Sequence, residues 1–244
     1  MRLVILCVLV SAAAACSSTG DGPSRQYEYE EEMYLSLDGS ATVYVHSSIA
    51  ALNALRGTSF DAQPRARIDR EAVGQFFTTP STRVVRVTTS RRRGRQYVHV
   101  RLETDDVRTL GAASPFSWSS YSLARPGESV VYKHAVAGGV SSPYLDRTAG
   151  LTGDEFIAFR VHVPSVVEYH NAGPGNLRRG NIAVLEQSLQ DRLRGEPLEL
   201  EVQMQPQSIL SRTLILFASM LAAVALLFGV TVWRVVRAGQ KKGG

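Results

Sequence analysis

Residues 213–233 form a run of 21 positions without a charged side chain, followed by Arg234, Arg237, Lys241 and Lys242. About 20 apolar residues at 1.5 Å each cover a hydrocarbon core of roughly 30 Å, so the run predicts a membrane-spanning helix. Whatever precedes it must fold as a body that can sit at a membrane surface. Trp233 stands where an aromatic belt is expected, and the basic residues beyond it outnumber Arg212 on the other side. That bias predicts a cytoplasmic C-terminus and an extracytoplasmic bulk.

The other end carries a second membrane signal. Arg2 leads into an apolar stretch over residues 3–10, then a small-residue run ending Ala13-Ala14-Ala15-Cys16. The stretch is too short for a stable span and reads as a secretory signal peptide. A cysteine preceded by small residues resembles the lipobox of bacterial lipoproteins, which implies acylation of Cys16. Ala13 stands where leucine is commoner there, and plain signal cleavage near Cys16 is the alternative. Once Cys7 is removed with the signal, Cys16 is alone and no intramolecular disulfide is available. The expected organisation is a signal peptide over 1–15 and a flexible tether over 16–25. A domain over 26–208, a transmembrane helix over 209–233 and a basic cytoplasmic tail over 234–244 follow. The location implied is a bacterial cytoplasmic membrane, with the domain on its extracytoplasmic side.

Charge divides unevenly along the chain. Of 27 basic residues, six (Arg2, Arg212, Arg234, Arg237, Lys241, Lys242) lie in the end segments, leaving 21 against 22 acids between them. The net charge of +5 thus belongs to topology signals and gives no support to nucleic-acid binding.

The central domain is patterned mostly with period two. Val98, Val100 and Leu102 alternate with polar residues, as do Leu198, Leu200, Val202 and Met204. Ile157, Phe159, Val161 and Val163 repeat the pattern, and so do Val130, Tyr132, His134 and Val136, all as half-buried antiparallel strands. Asp38-Gly39 marks a first hairpin, residues 91–94 a second and residues 125–128 a third. Helical spacing interrupts the pattern over 48–56 and over 69–78, the latter opened by an Asp69 cap, with a weaker helix over 104–110. The fold class expected is α+β: a curved antiparallel sheet with two or three helices on one face, plus the C-terminal transmembrane helix.

Several motifs fit a known family. They are the Asp38-Gly39 hairpin, the segment VPSVVEYHNAG over 163–173, the segment GNIAVLE over 180–186, and a last strand running into the span. In order and kind these resemble the LppM-type domain of bacterial membrane lipoproteins, although Leu185 stands where that family usually carries tryptophan. The resemblance implies an exported surface domain that binds lipid or glycolipid, and it brings no catalytic residues with it.

Chemistry-bearing constellations are sparse. His46, His99, His134, His162 and His170 are scattered among strands, with His134 and His162 the pair able to converge, and no metal-site spacing or nucleophile elbow is present. The expectation is a non-enzymatic protein without cofactor or metal. Glu28, Glu30, Glu31 and Glu32 read as an acidic face of the first strand, more a solvated surface than a cation site. Arg91, Arg92, Arg93 and Arg95 crowd a hairpin tip and are the candidate contact for anionic headgroups. Phe76, Phe77, Phe116 and Trp118, with Phe60 and Tyr121, are the candidate lining of an apolar cavity, or else an ordinary core. The function expected is binding of a lipid, glycolipid or envelope component; the alternative is envelope assembly through protein–protein contacts.

Overall fold

A computed structural model describes residues 27–136, 150–173 and 175–240. The signal-like segment, Cys16, the tether, part of the loop near 138–153 and the tail residues Lys241 and Lys242 lie outside the described residues. Strands β1 (Tyr27–Leu35) and β2 (Ala41–Ser48) are followed by helices α1 (Ile49–Arg56) and α2 (Arg70–Phe77). Next come β3 (Arg83–Arg92), β4 (Arg95–Thr104), the short helix α3 (Val107–Leu110), β5 (Ser119–Ala124) and β6 (Val130–Val136). The chain continues through β7 (Phe156–His162), β8 (Ser165–His170), β9 (Leu177–Arg178) and β10 (Ile182–Ser188). It ends with helix α4 (Leu189–Leu193), strand β11 (Leu198–Ser208) and the long helix α5 (Ile209–Gln240).

The α+β class holds, in a richer form than one antiparallel sheet. A seven-stranded sheet has the order β3-β4-β2-β1-β7-β10-β9, and a four-stranded sheet the order β5-β6-β11-β8. The larger sheet is mixed because β1 pairs in parallel with β7, with Tyr34 opposite His162. The chain reaches β7 only after passing through the helices and the smaller sheet, so it re-enters beside β1 from the same end.

Period two decides the faces. Tyr29, Glu31, Met33 and Leu35 on β1 and Val43 and Val45 on β2 point inward. Val98, Val100 and Leu102 on β4 and Ile157, Phe159 and Val161 on β7 join them. The inner face of the smaller sheet supplies Val130, Tyr132, Val136, Leu200, Val202 and Met204, and the two sets form one apolar core. The Tyr132 hydroxyl, for instance, donates to Met33 Sδ at 3.4 Å across the gap. Helices α1 and α2 start where their caps predict: the Ser48 hydroxyl accepts from the Ala51 amide, and Asp69 from the Glu71 and Ala72 amides. They bury Ile49, Leu52, Leu55, Val73 and Phe77 in the same core.

Helix α5 follows β11 directly. The Ile209 amide donates to the Pro164 carbonyl at 2.9 Å, and the Ser165 hydroxyl to the Gln207 carbonyl at 2.8 Å, fastening the helix start to the β7–β8 corner. Residues 209–234 are long and apolar enough to cross a membrane, and none of that stretch is buried against protein. Leu214, Leu216, Phe217, Leu221 and Phe228 are all exposed.

Candidate functional site

Two ends of the larger sheet can be distinguished by their distance from α5. At the helix end lie Leu35, Ala41 and Thr104, together with Tyr34 and His162, beside the corner that fastens α5. At the far end lie Ser48, Tyr97 and the β3–β4 turn.

A cleft of about 730 Å³ opens at the helix end. Leu37, Val163, Pro164, Ile209 and Leu210 give it an apolar wall, and Asp38, Asn181 and Thr213 contribute polar edges. Each wall residue has a local reason for its place. Leu37 and Asp38 belong to the turn between β1 and β2, closed by the Ser36 amide to the Ser40 carbonyl at 2.9 Å. Gly39 takes φ +99°, a conformation side-chain-bearing residues resist. Asp38 accepts from the Ser40 amide and hydroxyl at 2.9 and 2.7 Å, and the hydroxyl bond leads the effects that hold its carboxyl below the usual range. Asn181 is tied to Val163 by two backbone-directed bonds, 2.9 Å from the Val163 amide and 3.2 Å to its carbonyl. Ile209, Leu210 and Thr213 are the first turn of α5, so the cleft is shared between the domain and the start of the apolar helix.

Arginines gather around this end. Arg125 donates to the Leu37 carbonyl at 2.9 Å, and Arg212 to Gln205 Oε1 at 2.6 Å. Arg178 and Arg179 flank the β9–β10 turn next to Asn181 and are exposed, Arg178 with Glu186 3.9 Å away. The sequence reading missed all four as a group. They come from separate segments, and only strand pairing brings them to one end.

The predicted arginine tip is at the other end. Strands β3 and β4 run to Arg92 opposite Arg95, and the turn is the pair Arg93-Gly94 with φ +48° and +78°. From Arg95 to Glu103, which stands in the row of Thr42 and Tyr34, β4 covers roughly 26 Å at about 3.3 Å per residue. Docking onto headgroups beside α5 therefore finds no support in where the tip lies. Arg95 is also not a tip residue: it pairs with Glu28 at 2.6 Å and Glu155 at 3.1 Å. Arg91, Arg92 and Arg93 are exposed.

The aromatic candidates split similarly. Phe77 and Phe116 are fully buried, 6.1 Å apart, and Phe76 packs edge-on between Phe60 and Phe77. Trp118 is not beside Phe76; it meets Tyr29 at 5.5 Å and Phe159 at 5.7 Å. These rings are core packing, and the cleft uses none of them.

Strand alternation also corrects the acidic face. Glu28, Glu30 and Glu32 share the face away from the core, Glu28 buried there beneath Tyr97 and Arg95, while Glu31 points into the core and is 2% exposed. Glu31 accepts from Tyr29 at 3.0 Å and Tyr121 at 2.9 Å and pairs with Arg56 at 3.1 Å. On the outer face His162 meets Glu32 at 2.6 Å and stacks on Tyr34 at 4.0 Å. The His162 hydrogen bond is the main cause holding the Glu32 carboxyl below its ordinary range.

His134 and His162 do not converge, because one faces the core and the other the outer surface. The pair that does converge is His46 and His99, neighbours on β2 and β4, with Nδ1 atoms 2.9 Å apart. Burial, then the neighbouring His46, lowers His99 to about 4. Among the described residues, no group of three or more histidines, cysteines or carboxylates is placed to hold a metal ion.

No protein-family model matches the chain, and no curated protein matches it. Among solved structures, the chain is similar to the NMR structure of the folded domain of Mycobacterium tuberculosis LppM. The identity is 12%, the match covers 74% of this chain and 91% of that domain, and the TM-score is 0.39. At this identity and TM-score the likeness carries no weight for function, and the fold described above rests on this chain's own strand pairing.

Proposed function

We propose that this chain is a membrane-anchored extracytoplasmic domain that holds one amphiphile of its own membrane, a lipid or glycolipid, without altering it chemically. Helix α5 crosses the cytoplasmic membrane with its C-terminus inside, and an acyl chain on Cys16 ties down the other end of the domain. The observation that carries the reading is the cleft whose wall includes Ile209, Leu210 and Thr213. Thr213 is the first residue of the uncharged run, which sets the cleft at headgroup depth when α5 spans. A volume of about 730 Å³ falls within the range of small-molecule sites. The apolar wall takes acyl chain, while Arg125, Arg178, Arg179 and Arg212 lie nearby for the headgroup. The polar groups of the wall are engaged in local bonds, Asp38 with Ser40 and Ser208 with Ser211, which suits holding more than catalysis.

Native mass spectrometry of the full chain extracted from membranes tests this. The expected result is one retained lipid mass per chain, with Leu37→Ser reducing the retained fraction about tenfold. That factor corresponds to losing roughly 1.5 kcal/mol of leucine burial. A chain that stays lipid-free across mild detergents contradicts it. A second reading, contact with an envelope protein, draws on β8, an edge strand that leaves Val166 at 41% and Tyr169 at 50% exposure. Lipid-free chain captured with one defined protein partner would favour that reading.

A further inference from the structure

Between the two sheets, toward the far end, lies a cluster the cleft does not use. Arg192 on α4 is fully buried, and its Nη1 donates to the Val136 carbonyl at 3.2 Å. Among the described residues, its Nε and Nη2 are buried without a partner. Arg56 on α1 gives Nη2 to Tyr29 and Glu31, while its Nε and Nη1 are likewise buried without a partner among the described residues. Both guanidinium groups approach the same indole: the Arg56 Cζ lies 3.5 Å and the Arg192 Cζ 5.7 Å from the Trp118 ring centroid. Trp118 Nε1 is itself buried and unpartnered among the described residues, and so are both ring nitrogens of His134. His134 is neutral, because burial, then Arg56, lowers it to about 3.

Among the described residues the charges do not balance. Glu31 pairs with Arg56 and is already occupied by Tyr29 and Tyr121, and Arg192 has no carboxylate partner among these residues. Burial and then the repulsion of Arg56 lower the pKa of Arg192. A buried ion without a counterion is among the most destabilising arrangements available to a core, and guanidinium has five donors and no acceptor. The unmatched groups beside the Trp118 ring are donors, the Nε and Nη of two arginines and the indole N–H, while the neutral His134 has one donor and one acceptor. A shell of donors carrying one excess positive charge fits a compact anion, and the planar guanidinium fork matches two oxygens at once.

We propose that Arg56, Arg192 and Trp118 form an internal binding site for one oxyanion, a phosphate, sulfate or carboxylate group. The group arrives either as a free ion or as the head of a larger ligand. The site is separate from the cleft at α5, and each stands without the other.

Thermal unfolding of the full chain in detergent, followed by circular dichroism, tests it with inorganic phosphate and octyl phosphate as separate probes and chloride balancing ionic strength. A site that binds only the folded state raises the midpoint, on the order of 5–10 °C at a hundredfold excess over Kd. The expected result is a saturable rise in the wild type and a flat response in Arg192→Met. That variant removes an uncompensated charge, so it folds at least as well as the anion-free wild type. Trp118→Phe keeps the ring but loses the N–H, and it should move the half-saturating concentration up about tenfold. A rise with inorganic phosphate supports a free ion, and a rise with octyl phosphate alone supports the head of a larger ligand. No saturable rise with either probe, or the same rise in Arg192→Met, overturns the proposal.

Discussion

At the far end of the larger sheet, Arg91, Arg92 and Arg93 sit consecutively on one hairpin; at the helix end, Arg125, Arg178, Arg179 and Arg212 come from three separate segments. The first group draws attention in the sequence, and the second lies beside an apolar cleft at the start of α5. Position relative to the helix, and not local density of charge, decides which arginines would meet a membrane if α5 spans it, as proposed. A second contrast follows the same axis. Toward the far end the interior holds buried charge: Glu31, Arg56, Arg192 and the neutral His134. At the helix end Leu37, Val163, Ile209 and Leu210 present apolar surface to a cleft. One half should answer to perturbation with stability, the other with membrane behaviour.

The largest effect is expected at Glu31. Glu31→Ala leaves Arg56 buried without its carboxylate, and breaking such a pair costs about 3–5 kcal/mol. Urea unfolding measures it, and a loss below about 1 kcal/mol would break the contrast between the halves.

Acid should act on the same region. His134 has its folded pKa lowered from 6.5 to about 3, so below pH 6.5 the unfolded chain takes up a proton that the folded chain refuses. Its contribution is complete above pH 6.5 and is lost as pH falls toward 3. At about 1.4 kcal/mol per pH unit, roughly 2 kcal/mol is gone by pH 5. His99, lowered to about 4, adds in the same direction. Urea titrations at pH 7.5 and pH 5 should show this loss, and His134→Phe should recover most of the part due to that residue.

The arginine comparison sharpens the other half. Arg178→Ser with Arg179→Ser should weaken association of the domain face with anionic vesicles by up to about 2 kcal/mol, near 1 kcal/mol per charge. Replacing Arg91, Arg92 and Arg93 together should change that association by less than about 0.5 kcal/mol. Vesicle accessibility of a fluorophore at each site, with α5 reconstituted, distinguishes the two sets.

Much of this molecule was legible before its strands were paired. Residues 213–233 announced α5, the Asp69 cap announced α2, and the alternation of Val98, Val100 and Leu102 announced β4. What local pattern does not encode is which strands become neighbours. The parallel β1–β7 pairing and the separate β5-β6-β11-β8 sheet are set by contacts far apart in the chain. The same limit hid the site. Leu37, Val163 and Leu210 are unremarkable in their own segments and form a wall only when the β1–β2 turn, the β7–β8 corner and α5 meet. Glu31 is the clearest small case. Four glutamates within five residues read as one acidic surface, yet a period of two sends Glu31 inward to Arg56.

The central claim is that the helix end faces lipid and the far end does not. A photo-crosslinking side chain at Leu37, compared with one at Arg92, tests it in native membranes. The account predicts lipid adducts from position 37 and none above background from position 92. Lipid adducts from position 92 with none from position 37 would contradict it.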